Sequence, residues 1–140
     1  MMYPEERVGP MRQELVDIGF REWRTAGQVE SELPGAQGVS LVVVNSVCGC
    51  SAASARPGVA LALRLGPRPD HLFTVFAGND AEATSAVRSR LGTEPPSSPS
   101  VAVFVDGRFH GIIHRKDIQG SEPEEVAALV QGAVASAQAA

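Results

Sequence analysis

The chain holds two cysteines, Cys48 and Cys50, one glycine apart. They follow directly on the nearly continuous apolar run Val39–Asn45, which suits a strand buried on both faces. After them, Ala52–Leu65 reads as a helix rich in small residues, with Ala55, Val59 and Leu63 on one stripe and a bend at Pro57. The pair therefore sits where a buried strand turns into a helix. Reactive groups of α/β sheets gather at the carboxyl ends of strands. A helix N-terminus adds unpaired N–H groups and about half a positive charge. A thiolate is an anion that this field favours, so the spacing points to thiol–disulfide chemistry by a thiol of lowered pKa.

Cys48, at or before the helix start, should be the more exposed sulfur and the attacking one. Cys50, in the first turn, should be more shielded and resolve the mixed disulfide. Gly49 is expected to give the backbone the freedom for a tight approach of the two sulfurs. A one-residue spacer closes a smaller ring than a two-residue spacer, which strains the disulfide and makes it easier to reduce. Such a pair suits an oxidant or isomerase better than a reductant, or works through Cys48 with an external thiol closing the cycle. Zinc wants four ligands, and His71, His110 and His114 show no ligand spacing with the cysteines, so no metal or other cofactor is expected. Ser98-Pro99, just before the buried run Val101–Val105, is the other candidate for the site: in the cis form it would shape a substrate groove, while in the trans form that general statistics favour it is an ordinary loop proline. Asn45, Gly49, Ser98 and Pro99 are the residues expected to meet substrate.

The elements that must position these groups follow from periodicity and turn chemistry. Pro4 to Gly19 reads as a helix with Val8, Met11, Leu15 and Ile18 on one face, kinked or started at Pro10. Phe20 to Arg24 suits a short edge strand. Thr25 with Gln28 forms a capping box for a helix ending near Pro34-Gly35. His71 to Ala77 is a strand, and Asn79 or Asp80 caps a helix bearing Ala83, Val87 and Leu91. Val101 to Val105 is a strand, Asp106-Gly107 a hairpin turn, and Arg108 to Arg115 the returning strand, with Phe109 and Ile113 on one face. Ser121 with Glu124 is a capping box for a last helix running to near Ala140. The order gives one α/β domain over residues 1–140, with a mixed sheet covered on both faces.

At 140 residues the chain can bury a core without disulfide staples. Twelve basic against sixteen acidic residues give a net charge of −4, which leaves no surplus to neutralise a nucleic-acid backbone. No secretory signal is visible, and the longest apolar runs are strand-sized, far short of a bilayer. The expected location is the cytoplasm, where thiols stay reduced and a close cysteine pair is catalytic or metal-binding more often than structural.

With these residues in view, the chain resembles the bacilliredoxins. The resemblance is carried by Pro10-Met11-Arg12-Gln13-Glu14-Leu15, by Leu41-Val42-Val43-Val44-Asn45-Ser46-Val47-Cys48-Gly49-Cys50 and by Ala55-Arg56-Pro57-Gly58. Further on it is carried by Pro96-Ser97-Ser98-Pro99-Ser100-Val101-Ala102 and His114-Arg115-Lys116-Asp117-Ile118-Gln119-Gly120. It implies a thioredoxin-like fold with an N-terminal helical extension and a cis proline at Pro99. It also implies removal of bacillithiol, or an equivalent low-molecular-weight thiol, from protein mixed disulfides by attack of Cys48, with weak isomerase or reductase activity. The implied partners are thiol-modified client proteins, the small thiol and its reductase. Bacilliredoxins often carry a further cysteine near the C-terminus, and this sequence has none. Two other readings stand beside this one: a protein disulfide isomerase or thiol oxidant, and a redox-sensing module without turnover.

Overall fold

A computed structural model describes residues 2–140. The strands are β1 (Arg21–Glu22), β2 (Val39–Asn45), β3 (His71–Phe76), β4 (Ser100–Val105) and β5 (Arg108–Ile113). The helices are α1 (Glu5–Val16), α2 (Ala26–Glu32), α3 (Arg56–Leu65), α4 (Ala81–Arg88), α5 (Arg115–Ile118) and α6 (Pro123–Gln138), with a π-helical turn at Ser51–Ala55 before α3. The sheet order is β1-β3-β2-β4-β5. β3 runs parallel to β1 and β2, while β4 runs antiparallel to β2 and β5.

β2 lies at the centre, and all seven of its residues are buried. Successive side chains on a strand point to opposite faces. Val39, Leu41 and Val43 accordingly join a core with Val59, Val126 and Val130 from α3 and α6. Val42 and Val44 join the opposite core with Val29, Ala83 and Val87 from α2 and α4. Both faces are covered, as the unbroken apolar run requires.

α1 is docked through a residue that its apolar periodicity does not include. Arg12 is buried on the sheet side and forms ion pairs with Asp80 at 2.6 Å, Glu5 at 3.0 Å and Glu22 at 3.4 Å. Val8 and Leu15 bury fully beside it, while Met11 and Ile18 are only half-buried. Pro10 lies inside the helix without ending it. The engagement with Arg12 takes the Asp80 carboxylate away from α4, whose N-cap it is without a side-chain capping bond. Asn79 instead holds the N-terminal segment, exchanging hydrogen bonds with the backbone N–H and carbonyl of Tyr3, each at 2.8 Å.

Several boundaries differ from the sequence reading. β1 has two residues, because only Arg21 and Glu22 align with β3 before Trp23 turns inward to stack on Phe73 at 4.1 Å. Phe109 and Ile113 face opposite cores, since a register shift in the β4–β5 ladder at Val103/Phe104 inserts one residue between them. The same strand stops at Ile113, and His114 begins the unforeseen short helix α5. The capping box of α6 is Glu122 with Glu125, one residue beyond the expected pair. At the hairpin, Asp106 and Gly107 both have positive φ, as a two-residue Asp-Gly turn demands.

Candidate active site

The helix after β2 begins at the cysteines. The Cys48 carbonyl accepts from the Ser51 N–H at 2.9 Å, closing the first turn, so Cys48 stands at the helix start as expected. The chain then widens into the π turn, where the Arg56 N–H reaches the Ser51 carbonyl five residues back. Pro57 explains this locally. It has no N–H to give to a carbonyl four residues earlier, and its ring would crowd that carbonyl. The wider turn absorbs the misfit, and α3 starts cleanly with Pro57 in its first turn.

The two thiols are free and half-buried, and their sulfurs touch at 2.6 Å. Burial pushes the Cys48 thiol up, but the Cys50 thiol, the N–H groups of Cys50 and Ser51, and the charge of Arg115 outweigh it, leaving its pKa lowered. Burial and the neighbouring Cys48 sulfur push Cys50 up, against a weaker pull from Arg115. The sequence reading separated the cysteines by exposure; the structure separates them by charge stabilisation.

Cys48 opens on a cleft of about 510 Å³, walled by Tyr3, Ser46, Val47, Ser98, Arg88 and Arg115 among others; Cys50 is not part of its lining. The Ser98–Pro99 bond is cis. Ser98 lines the cleft, while Pro99 is buried, so the groove wall comes from the residue before the proline.

Two expectations need correction: Asn45 as a substrate contact, and glycine's backbone freedom as the reason for Gly49. Asn45 is buried, and its side chain is fully engaged by the protein. Its Nδ2 donates to the Met11 carbonyl, and its Oδ1 accepts from the Ser46 N–H, the Ser51 hydroxyl and the Arg56 guanidinium. It shapes the strand–helix junction from beneath instead of touching substrate. Gly49 is exposed, has no positive φ, and a Cβ there would meet nothing within 4 Å. Neither backbone geometry nor crowding demands glycine at this position. What its missing side chain leaves open is the approach to the sulfurs.

The residues the sequence reading passed over are Arg56, Arg88, Arg115 and Tyr3. Arg56 is buried, and its Nη1 donates to Asn45 Oδ1, the Ser46 carbonyl and the Ser51 hydroxyl. Its Nε lies 3.2 Å from Glu14 without the alignment of a hydrogen bond. Arg56 and Arg115 lie in the stretches that carry the family resemblance, without a role given to them there, and Arg88 lies in none of those stretches. His114 joins Ser97 on one ring nitrogen and Glu94 on the other, each at 2.7 Å, fixing the cis-proline loop to the turn that carries Arg115. Among the described residues no group of three His, Cys, Asp or Glu side chains converges as a metal site would, and no helix is long and apolar enough to cross a membrane.

Residues 3–137 match the family model described as disulphide isomerase. A bacilliredoxin of Symbiobacterium thermophilum is 52% identical over 91% of this chain and 91% of its own. One from Shouchella clausii is 50% identical over 89% of this chain and 86% of its own. The chain belongs to the bacilliredoxin family. Solved structures agree on the fold of this bacilliredoxin-family chain. A thioredoxin mutant of Entamoeba histolytica superposes with a TM-score of 0.58 at 14% identity, over 85% of this chain and all (100%) of its own. Mitochondrial thioredoxin 3 of Saccharomyces cerevisiae gives 0.55 at 14% identity, over 85% and 95%. The fold is that of thioredoxin, and the family and fold together make the protein a thiol–disulfide oxidoreductase in type.

Proposed function

We propose that this protein removes a low-molecular-weight thiol, bacillithiol or an equivalent, from protein mixed disulfides in the cytoplasm. The observation that carries the reading is the division between two touching sulfurs: Cys48, whose thiolate is favoured, opens on the cleft, and Cys50, whose thiolate is disfavoured, does not. The Cys48 thiolate attacks the small thiol's sulfur. A bond forms between Cys48 and that sulfur, and the client sulfur leaves with the electron pair and takes a proton from water. Cys50, once deprotonated, attacks Cys48. The Cys48–Cys50 bond forms, and the small thiol leaves. Return of the pair to dithiol takes two electrons, one from each of two external thiol molecules, which leave joined as a disulfide that their own reductase reduces. No resident cofactor enters this cycle.

Intact-mass spectra of a thiol-modified client incubated with the protein test it. Cys48→Ser should be inactive, because a hydroxyl without an adjacent base is a far weaker nucleophile. Cys50→Ser should free the client once and stall with the small thiol on Cys48. Full activity of Cys48→Ser, or first transfer to Cys50, would overturn the assignment. The description of the matching family model favours a second reading, in which the same thiolate attacks protein disulfides and reshuffles them. Recovery of activity by a scrambled disulfide protein would identify it.

A further inference from the structure

Arg88 and Arg115 are the only charged groups among the residues that line the Cys48 cleft, and no carboxylate lines it. The two arginines that are fully buried are answered by acids, Arg12 by Asp80 and Arg56 by Glu14. Arg88 is not. It is half-buried, its Nη2 reaches the Ser97 carbonyl only at 3.5 Å, and its Nε is buried without a partner. Burial accordingly pushes its pKa down. Arg90 also has an unpartnered Nε, but it does not line the cleft. A desolvated guanidinium with unused donors is costly, and its planar fork matches a carboxylate. Arg115 stands exposed across the same cleft, close enough for its charge to act on the Cys48 sulfur.

We infer that Arg88, assisted by Arg115, forms an anion subsite beside Cys48 that holds a carboxylate of the small thiol in the mixed disulfide. The inference rests on the thiol-transfer reading above and narrows its substrate to acidic thiols. The cleft, about 510 Å³, has the size of a small-molecule site, which favours the small thiol over a segment of the client as the source of the anion. The subsite seats the small thiol's sulfur against Cys48, so that attack falls on that sulfur and the client sulfur is the one expelled.

The test uses an uncharged peptide with one cysteine, carried as a mixed disulfide with 3-mercaptopropionate or with 2-mercaptoethanol. Single-turnover release of the peptide thiol is measured for each, normalised to its rate with free cysteine. The wild type should favour the acid adduct. Arg88→Gln should lower the acid-to-neutral ratio about 10-fold or more, the effect of one lost charge-assisted hydrogen bond. Arg88→Lys should recover part of it, and Arg115→Gln should lower it less. Because Arg115 is exposed, that variant and the salt dependence of the wild-type ratio carry the test if Arg88→Gln does not fold. A wild-type ratio near one, or a ratio unmoved by the substitutions and by salt, would overturn the subsite while leaving thiol transfer intact. Release of neither adduct would overturn both. A third adduct joins 2-mercaptoethanol to the same peptide with one aspartate added; an acid preference seen with that adduct alone would assign the anion to the client and overturn the subsite as stated.

Discussion

Asn45 Oδ1, at the end of β2, accepts a hydrogen bond from Nη1 of the buried Arg56 at 2.9 Å. The same oxygen receives the Ser51 hydroxyl at 3.1 Å and the Ser46 N–H at 2.8 Å. One side-chain amide therefore ties the end of the strand, the loop before Cys48 and the start of α3. Asn45→Ala should remove three acceptor contacts and leave a buried cation with fewer partners. Hydrogen bonds to charged groups are worth about 1.5–3 kcal/mol, so the loss expected in urea unfolding is about 2–4 kcal/mol. A change below about 1 kcal/mol would show that Asn45 does not hold the junction.

The opposed ionisation of the cysteines predicts a two-step titration. The pair should lose its first proton below the pKa of a free cysteine and its second above it, with apparent values that belong to the pair. Alkylation by iodoacetamide should therefore fall on Cys48 ahead of Cys50, and its rate should level off at a lower pH than that of a free cysteine. Arg115→Gln should shift the first step upward, because the removed charge favours the thiolate. The stability signs follow. Cys48, with a lowered pKa, adds stability above the pKa of an unfolded thiol, and this is lost as pH falls through its folded value. Cys50, with a raised pKa, adds stability below the unfolded pKa that is lost as pH rises through its folded value. Equal alkylation of both thiols at neutral pH would contradict the division of roles.

Gly49→Ala separates folding from chemistry. The glycine has no positive φ, and a Cβ meets nothing within 4 Å, so alanine should leave stability unchanged or raise it by up to about 1 kcal/mol through the unfolded state. The added methyl stands on the exposed approach to the sulfurs and should slow thiol transfer. A fall in melting temperature would mean that the backbone needs glycine after all.

Much of this architecture could be read from apolar periodicity. β2, β3 and β4 are buried runs, and α2 and the hairpin are marked by Thr25–Gln28 and Asp106-Gly107, signals that act over a few residues. What escaped were features set by partners distant in sequence. Arg12 looks like a surface residue until Asp80, Glu5 and Glu22 surround it. Asn45 looks like a polar strand end until Arg56 is placed against it. The faces of Phe109 and Ile113 were misread because a single inserted residue in β5 reverses side-chain alternation. At the site, the cysteine pair and the Ser98–Pro99 cis bond were legible from the sequence and its resemblance. Arg88 was not, since nothing in the local sequence shows that α4 delivers it to the cleft.

Gly58 tests how closely α3 and α6 must approach behind the site. A Cβ on Gly58 would lie 2.6 Å from the Val126 side chain and 3.0 Å from the Pro123 carbonyl oxygen. Val126 is fully buried, and the Pro123 carbonyl is backbone in the first turn of α6, so neither neighbour can swing aside. The helices would have to separate. Gly58→Ala should thus destabilise the protein by about 1–3 kcal/mol, the usual cost of overpacking, despite alanine's better helix propensity. The strain should spread toward the cysteines, because Ser54 of the π turn donates to the Ser121 carbonyl just before α6 at 2.6 Å. Urea unfolding measures the first effect and the iodoacetamide rate at Cys48 the second. A variant as stable as wild type would show that α6 can shift without cost, and that the glycine is not what sets the contact.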